Sequence, residues 1–285
     1  MTTPTIQLTS AARPATTEVD AVNEKGETVA TPIAGEHPLT VYLDKRELVT
    51  LMTLGGAPEA LALGYLRNQR IVGNIEDIAS VQVDWETDCV VVTTRRADFW
   101  ERDGIEARLN KRTVTTGCGQ GTVFGDLMDE IDAIQLPKDA RLSVEVLYTV
   151  MERVRKHESI YKQAGAVHGC ALCSNAGGDR GEIVYFVEDV GRHNAVDAIA
   201  GRMWLDGVNG GDKIFYTTGR LTSEMVIKCA QMGIPILLSR SGLTQMGHAI
   251  AQRTGITMIG RCQGRHYLLF TGAERFVAGP ATLLA

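Results

Sequence analysis

The chain has 285 residues, enough for one large domain or two smaller ones. Its hydrophobic content of 44% supports a real core, and its net charge of −5 excludes a general basic field that would attract nucleic acid or anionic lipid. Six cysteines in a chain of this length do not indicate a disulfide scaffold, so each is interpreted as a core residue, a ligand or a nucleophile.

Residues 1–36 are rich in Thr, Ala, Pro and Glu and contain few large apolar side chains. This composition predicts a disordered N-terminal tail. The segment has no apolar signal-peptide core, and no later stretch is long and uncharged enough to cross a bilayer. We therefore expect a cytoplasmic protein with no membrane partner and no nucleic-acid partner.

Residues 37–142 follow a mainly β pattern, which predicts a small β-rich subdomain. Apolar and polar residues alternate in Leu39–Leu43 and in Val81–Trp85, and a turn-like stretch then leads into Cys89–Val92, as in a hairpin. A helix with proline in its first turn is predicted over Ala57–Leu66.

Residues 143–285 alternate short apolar strands with helices, which predicts an α/β domain with a parallel or mixed sheet and right-handed crossovers. Its first helix is expected from Ser143 to Lys156, with Ser143 as the N-cap. Later helices are each followed by a glycine, the residue that most readily ends a helix in the left-handed conformation. These glycines are Gly207, Gly233 and Gly255.

Three strands of this region run into loops that carry glycine, arginine and small polar residues before a helix begins. The arginines are Arg192, Arg220 and Arg240. A helix N-terminus favours anions, and arginine adds a planar fork of donors that suits phosphate. If the strands are neighbours, the loops meet at one sheet edge and predict a site for a phosphate-rich small molecule. The alternative is that the arginines cap helices or pair with nearby carboxylates.

The cysteines differ in context. Cys118 stands between glycines in a loop with few apolar neighbours, which favours a reactive sulfur over a packing role. Cys170 and Cys173 form a CxxC pair that could be half of a zinc site, a redox pair or two core residues at a strand end. Cys262 follows another apolar strand and could line the same pocket as the arginine loops.

Three stretches together resemble the FdhD family, the formate dehydrogenase accessory sulfurtransferases. They are Glu188–Asp197, Thr218–Val226, and Gly233–Pro235 with Ser239–Ser241. The likeness extends over residues 37–276, and the ten matching positions of the first stretch make it specific.

The resemblance implies a cytosolic homodimer with a cytidine-deaminase-like α/β domain and the smaller β-rich subdomain. It implies a carrier that accepts persulfide sulfur from a cysteine desulfurase. The sulfur then passes to the molybdenum cofactor, bis-molybdopterin guanine dinucleotide, before this cofactor is inserted into formate dehydrogenase. No metal ligand from the protein is expected.

The resemblance also assigns roles to residues. The family's Thr-Gly-Cys-Gly-x-Cys-Gly loop matches Thr116–Gly121, which places the persulfide on Cys118, whereas Gly121 stands where the family has a second cysteine. Cys170 and Cys173 are the alternates for that missing thiol. The expected cofactor-binding residues are Arg192, His193, Gly219, Arg220, Ser239, Arg240, Arg261, Cys262, Gln263, Gly264, Arg265 and His266.

Three other functions remain open from the sequence. A cofactor-binding chaperone would use the same pocket without a catalytic cysteine. A thiol–disulfide oxidoreductase would use Cys170 and Cys173 as a redox couple. A deaminase-like hydrolase would bind zinc.

Overall fold

The computed structural model describes residues 5–96, 98–101, 113–114, 121–122 and 131–278. Two compact units interleave along the chain. The first comprises Met1–Phe124, Glu158–His168 and Glu188–Asp206, and the second comprises Gly125–His157, Gly169–Val187 and Gly207–Ala285. This division differs from the single boundary after residue 142 that the sequence predicts, because two later segments return to the first unit.

The described residues contain six α-helices and a larger set of strands. The helices are α1 (Pro58–Asn68), α2 (Val144–Lys156), α3 (Ile160–Ala164), α4 (Arg192–Leu205), α5 (Ser223–Gln231) and α6 (Gln245–Thr254). The strands up to residue 122 are β1 (Gln7–Leu8), β2 (Thr16–Val22), β3 (Thr28–Ala34), β4 (His37–Leu43), β5 (Arg46–Thr53), β6 (Ile78–Asp84), β7 (Cys89–Thr94), β8 (Thr113–Val114) and β9 (Gly121–Thr122). The later strands are β10 (Leu142–Ser143), β11 (His168–Ser174), β12 (Ile183–Asp189), β13 (Lys213–Thr217), β14 (Ile236–Ser239), β15 (Thr257–Gln263), β16 (His266–Thr271) and β17 (Phe276–Val277).

The first unit contains a five-stranded sheet of order β1-β6-β7-β4-β5. Strands β6 and β7 pair antiparallel, as the hairpin prediction requires. Helix α1 begins at Pro58, whose missing N–H costs nothing in the first turn of a helix. The inward residues of the alternating strands are buried, among them Leu39, Val41 and Val81.

Residues 16–34 differ from the disordered tail that composition predicts, because they form the antiparallel hairpin β2–β3. The strands are rich in β-branched residues, which suits a pleated ribbon. The turn between them is held by Asn23, whose side-chain oxygen accepts hydrogen bonds from the backbone N–H groups of Lys25 and Glu27.

Helices α1 and α4 of the first unit pack closely through glycine. A Cβ atom added at Gly64 would lie 1.7 Å from the carbonyl oxygen of Asp197, and one added at Gly201 would lie 1.9 Å from that of Ala60. Side chains reinforce the crossing: Asn68 Nδ2 donates to Asp197 Oδ1 at 2.7 Å. The two backbones therefore approach to a distance that only hydrogen side chains permit.

The second unit is organised around a six-stranded sheet of order β12-β11-β13-β14-β15-β16. Strands β13, β14 and β15 run parallel, while β11 and β16 pair antiparallel at either side of them. The prediction of an α/β fold with a mixed sheet is confirmed. Helix α2, capped by the Ser143 hydroxyl at the Val146 N–H, packs on one sheet face.

The predicted glycine stops are confirmed, since Gly207, Gly233 and Gly255 have φ of 64°, 75° and 70°. Within the part of the chain that the structure describes, no helix combines the length and the apolar character needed to cross a membrane.

Candidate functional site

The carboxyl ends of β13, β14 and β15 form one edge of the second unit's sheet, and the loops that follow them carry most of the predicted site. Arg220 follows β13, Arg240 follows β14, and Arg261 lies near the end of β15. All three side chains are exposed. We call these three residues the arginine edge. Parallel neighbouring strands bring their loops together at this edge, as the sequence predicts.

Hydrogen bonds between small polar residues hold the two loops in place. The Thr217 hydroxyl accepts from the backbone N–H of Gly219 at 3.1 Å. Ser239 is fully buried, and its hydroxyl donates to the carbonyl of Gly219 at 2.7 Å and accepts from the N–H of Ser241 at 2.9 Å. Ser239 therefore positions the loops and does not contact a ligand, because its side-chain hydroxyl is buried and already hydrogen-bonded within the protein.

Arg261 has a left-handed backbone conformation, with φ of 55°. It lies at a break in the pairing of β15 with β16, between Gly260 and Gln263, and its N–H donates to the carbonyl of Ser241 at 2.8 Å. A bulge redirects side chains, and a non-glycine residue with positive φ is a strained position that is often functional. The bulge leaves Arg261 exposed while its neighbour Cys262 is 3% exposed.

The N-terminus of α5 lies directly after Arg220. Its N-cap residue, Thr222, makes no side-chain cap hydrogen bond, in contrast to Thr244 at the start of α6, which accepts from Gly247 at 3.1 Å. The Thr222 hydroxyl is buried and has no hydrogen-bond partner among the described residues. The first turn of α5 thus keeps N–H groups that a phosphate group would satisfy.

The tight turn between β15 and β16 lies at the same edge. Gln263 and His266 face each other across the Gly264-Arg265 turn, and Gly264 has φ of 59°. The guanidinium of Arg265 lies over the ring of Tyr148, 5.9 Å from its centroid. The exposed residues of this turn are Gln263, Gly264, Arg265 and His266.

Cys170 and Cys173 both lie in β11 and are fully buried. Residues three apart in a strand point to opposite faces, with Cα atoms roughly 10 Å apart, beyond the reach of a disulfide. Burial raises the pKa of the Cys173 thiol to about 12. The Cys170 thiol donates to the Thr217 hydroxyl at 3.3 Å. Among the sequence alternatives, this geometry favours two core residues.

Two further thiols of the second unit are also buried. Burial raises the pKa of Cys262 to about 11 and that of Cys229 well above its ordinary value. Cys262 belongs to the same core cluster as Cys173, so its side chain lies among apolar neighbours. A thiol with a raised pKa is protonated near neutral pH and is a poor nucleophile.

Arg192 and His193 belong to the first unit, at the start of α4. Arg192 is half-buried and His193 is 4% exposed. The structure therefore places them on a different unit from the arginine edge. Cys118, the predicted persulfide residue, lies outside the described residues, between β8 and β9, which pair antiparallel.

A buried carboxylate that the sequence analysis did not single out organises the loop before α4. Asp189 is 5% exposed and accepts hydrogen bonds from Thr53 Oγ1 at 2.5 Å, Leu54 N at 3.2 Å, Gly191 N at 3.2 Å and Asn194 Nδ2 at 2.8 Å. Burial raises its pKa, which its hydrogen-bond donors partly offset.

Glu188, the neighbour of Asp189, accepts from the backbone N–H groups of Ile160 and Tyr161 at the start of α3. The two adjacent carboxylates at the start of the Glu188–Asp197 motif, Glu188 and Asp189, therefore both have structural partners. The signal in the sequence that could have indicated this role is the polar stretch that follows an apolar strand directly.

Among the described residues, no three His, Cys, Asp or Glu side chains are close enough together to hold a metal ion.

The chain resembles known proteins over most of its length. The sequence profile of the FdhD/NarQ family matches residues 34–277. The sulfur carrier protein FdhD of Listeria monocytogenes serotype 4b (strain F2365) is 32% identical over 249 residues, which cover 87% of this chain and 92% of that protein. The protein of the same name from Bacillus subtilis (strain 168) is 28% identical over 240 residues, covering 84% and 88%. A crystal structure assigned as a formate dehydrogenase accessory protein from Desulfotalea psychrophila aligns with a TM-score of 0.70 and 26% identity, covering 92% of this chain and 98% of that one.

Proposed function

Since the chain belongs to the FdhD/NarQ family, we propose that it is a sulfur carrier for the maturation of formate dehydrogenase. In this proposal Cys118 accepts a persulfide sulfur from a cysteine desulfurase. The sulfur then passes to bis-molybdopterin guanine dinucleotide, the client cofactor, before insertion into the enzyme.

The observation that carries the proposal is the state of the other thiols. Four of the six cysteines (Cys170, Cys173, Cys229 and Cys262) are buried in the second unit. The pKa is raised by burial at three of these: Cys173, Cys229 and Cys262. Cys89 is half-buried, with its sulfur 3.1 Å from the Thr87 hydroxyl. Sulfur transfer needs a thiolate that a partner can reach, which favours Cys118 in its glycine-rich loop.

The transfer balances without an oxidant. The Cys118 thiolate attacks the terminal sulfur of the desulfurase persulfide, a new S–S bond forms on Cys118, and the desulfurase cysteine leaves as a thiolate. Delivery of that sulfur as sulfide requires two electrons. Because Gly121 stands where the family loop has a second cysteine, an external thiol is the reductant that we propose.

The arginine edge is where we propose that the client cofactor binds. Its guanine dinucleotide parts carry phosphates, and three features of the second unit favour phosphate: exposed Arg220, Arg240 and Arg261, the uncapped first turn of α5, and the buried Thr222 hydroxyl without a partner among the described residues. Cys262 and Ser239 are buried, so we propose that they support the edge from within.

The test is intact-protein mass spectrometry after incubation with a cysteine desulfurase and L-cysteine. Wild type is expected to gain the mass of one sulfur atom, Cys118→Ala to gain none, and the matched control Cys89→Ala to behave as wild type. An adduct that persists in Cys118→Ala and disappears in Cys89→Ala would contradict the assignment.

A second function, a chaperone that holds the cofactor without carrying sulfur, is favoured by the arginine edge itself, which needs no cysteine. It predicts that Cys118→Ala leaves formate dehydrogenase fully active, whereas a double replacement of Arg220 and Arg240 by Ala abolishes its maturation. Loss of activity in both variants supports the carrier.

A further inference from the structure

We propose that the free edge of β2 in the first unit is a docking site for an extended basic segment of a partner protein, which adds to the hairpin as a third strand. The hairpin ends at Ala34, so nearly all of it precedes residues 34–277, the span that the family profile matches. The inference is independent of the sulfur chemistry.

The direction of the backbone groups in β2 follows from the register. Asn23 N donates to Glu27 O at 3.0 Å, and Gly35 N donates to Ala15 O at 2.9 Å. These two residue pairs lie at the two ends of the hairpin, and both are hydrogen-bonded pairs whose backbone groups point towards the partner strand. In an antiparallel ribbon, hydrogen-bonded pairs alternate with pairs whose N–H and C=O groups face outward. The residues of β2 with outward-facing backbone groups are therefore Thr16, Glu18, Asp20 and Val22.

These outward groups have no backbone partner among the described residues, where β2 pairs with β3 alone. An edge of seven residues with neither proline nor lysine is a template for another strand. The other edge of the hairpin is blunted. Pro32, which pairs with Glu18, occupies an outward-facing position of β3 and lacks an N–H, and β3 lies against α3.

The side chains of the hairpin define the chemistry of the occupant. Val19, Val29 and Ile33 share one face, with 38%, 40% and 45% of each side chain exposed. Glu18 and Asp20 share the opposite face and are exposed. A strand added at this edge therefore meets carboxylates on one face and apolar residues on the other, which suits alternating Lys or Arg and apolar residues.

The same carboxylates disfavour a second copy of this chain. Antiparallel pairing of β2 with β2 of another molecule sets outward-facing residues opposite each other. Every register that pairs most of the strand then places Glu18 opposite Glu18, Glu18 opposite Asp20, or Asp20 opposite Asp20. Like charges directly opposite destabilise a strand pair, whereas a basic strand gains from the same positions.

The probe is a fluorescein-labelled synthetic peptide of alternating lysine and valine flanked by threonine, added to the full-length protein and followed by fluorescence anisotropy. The matched peptide has glutamate in place of lysine. The lysine peptide is expected to bind and the glutamate peptide to bind at least about tenfold more weakly, the difference expected from two opposed charge pairs.

Proline substitutions separate edge pairing from general attraction of charges. Asp20→Pro removes an outward N–H from β2, and the matched control Ala30→Pro makes the same change on the blunted edge of β3. Asp20→Pro is expected to weaken binding about tenfold, as for the loss of a backbone hydrogen bond and a charge, with Ala30→Pro close to wild type. Asp20→Asn, which keeps the N–H, isolates the contribution of the charge.

Equal binding by the Asp20→Pro and Ala30→Pro variants would overturn the proposal, as would equal affinity for the two peptides. Self-association that requires Asp20, seen by sedimentation velocity, would assign the edge to a second copy instead. If Asp20→Pro fails to fold, as judged by circular dichroism, a lysine peptide N-methylated at alternate amides tests the same point on the wild type. Undiminished binding of that peptide would refute strand addition.

Discussion

Replacing Gly64 by alanine at the crossing of α1 and α4 tests whether close backbone contact stabilises the first unit. The new Cβ atom would lie 1.7 Å from the carbonyl oxygen of Asp197 and 2.8 Å from the backbone nitrogen of Gly201. Ordinary van der Waals contact begins at 3.4 Å, and the contact with the Asp197 oxygen is 1.7 Å, so the helices must separate by at least the difference of 1.7 Å to relieve it.

The magnitude follows from three contributions. Overpacking of a close contact costs about 1–3 kcal/mol. Separation of the helices also stretches the hydrogen bonds from Asn68 to Asp197 and from Arg67 to Ala200, now 2.7 Å and 3.1 Å long, for about another 1–3 kcal/mol. Alanine is the better helix former by about 1 kcal/mol. The free energy of unfolding is therefore expected to fall by about 1–5 kcal/mol.

Urea denaturation followed by far-ultraviolet circular dichroism measures this change. Tryptophan fluorescence gives a second signal from the first unit, which contains Trp85, Trp100 and Trp204, the last with the Arg67 guanidinium 5.7 Å from its ring centroid. Gly73→Ala is the matched control in the same unit, because a Cβ atom there meets nothing within 4 Å. It is expected to change stability by less than about 1 kcal/mol. Equal midpoints for Gly64→Ala and Gly73→Ala would refute the reasoning.

Two further changes test buried polar groups and thiols. Asp189→Asn places an amide N–H₂ where one carboxylate oxygen accepts two hydrogen bonds, so urea denaturation should show a loss of about 1–3 kcal/mol, and stability equal to wild type would contradict this. The pKa values of Cys173 and Cys262 are raised from 9.0 to about 12 and about 11. The stability that these protonated thiols contribute is therefore fully present below pH 9.0 and is lost as the pH rises towards those values. The free energy of unfolding should fall over this range, and it should fall less in the Cys262→Ala variant. Iodoacetamide at pH 8 should leave both thiols unmodified until urea unfolds the protein, and rapid labelling in the native state would show that they are accessible.

Local sequence signals determined most of the secondary structure. The alternation in Leu39–Leu43, the cap at Ser143 and the glycine stops each act over a few residues, so they can be interpreted without knowledge of the fold. The strand–loop–helix pattern also placed Arg220 and Arg240 at one sheet edge, because β13 and β14 are parallel neighbours. The family followed from ten adjacent positions of one motif.

Tertiary structure alone decided which residues are accessible and which unit they belong to. Cys170 and Cys173 are only three positions apart in the sequence, yet β11 directs their side chains to opposite faces of the sheet, and both are buried. Asp189 accepts a hydrogen bond from Thr53, more than a hundred residues earlier in the chain, and Gly64 packs against the carbonyl of Asp197 over a similar separation. Burial and such pairings depend on which segments meet in the folded chain, and local propensity carries no information about that encounter.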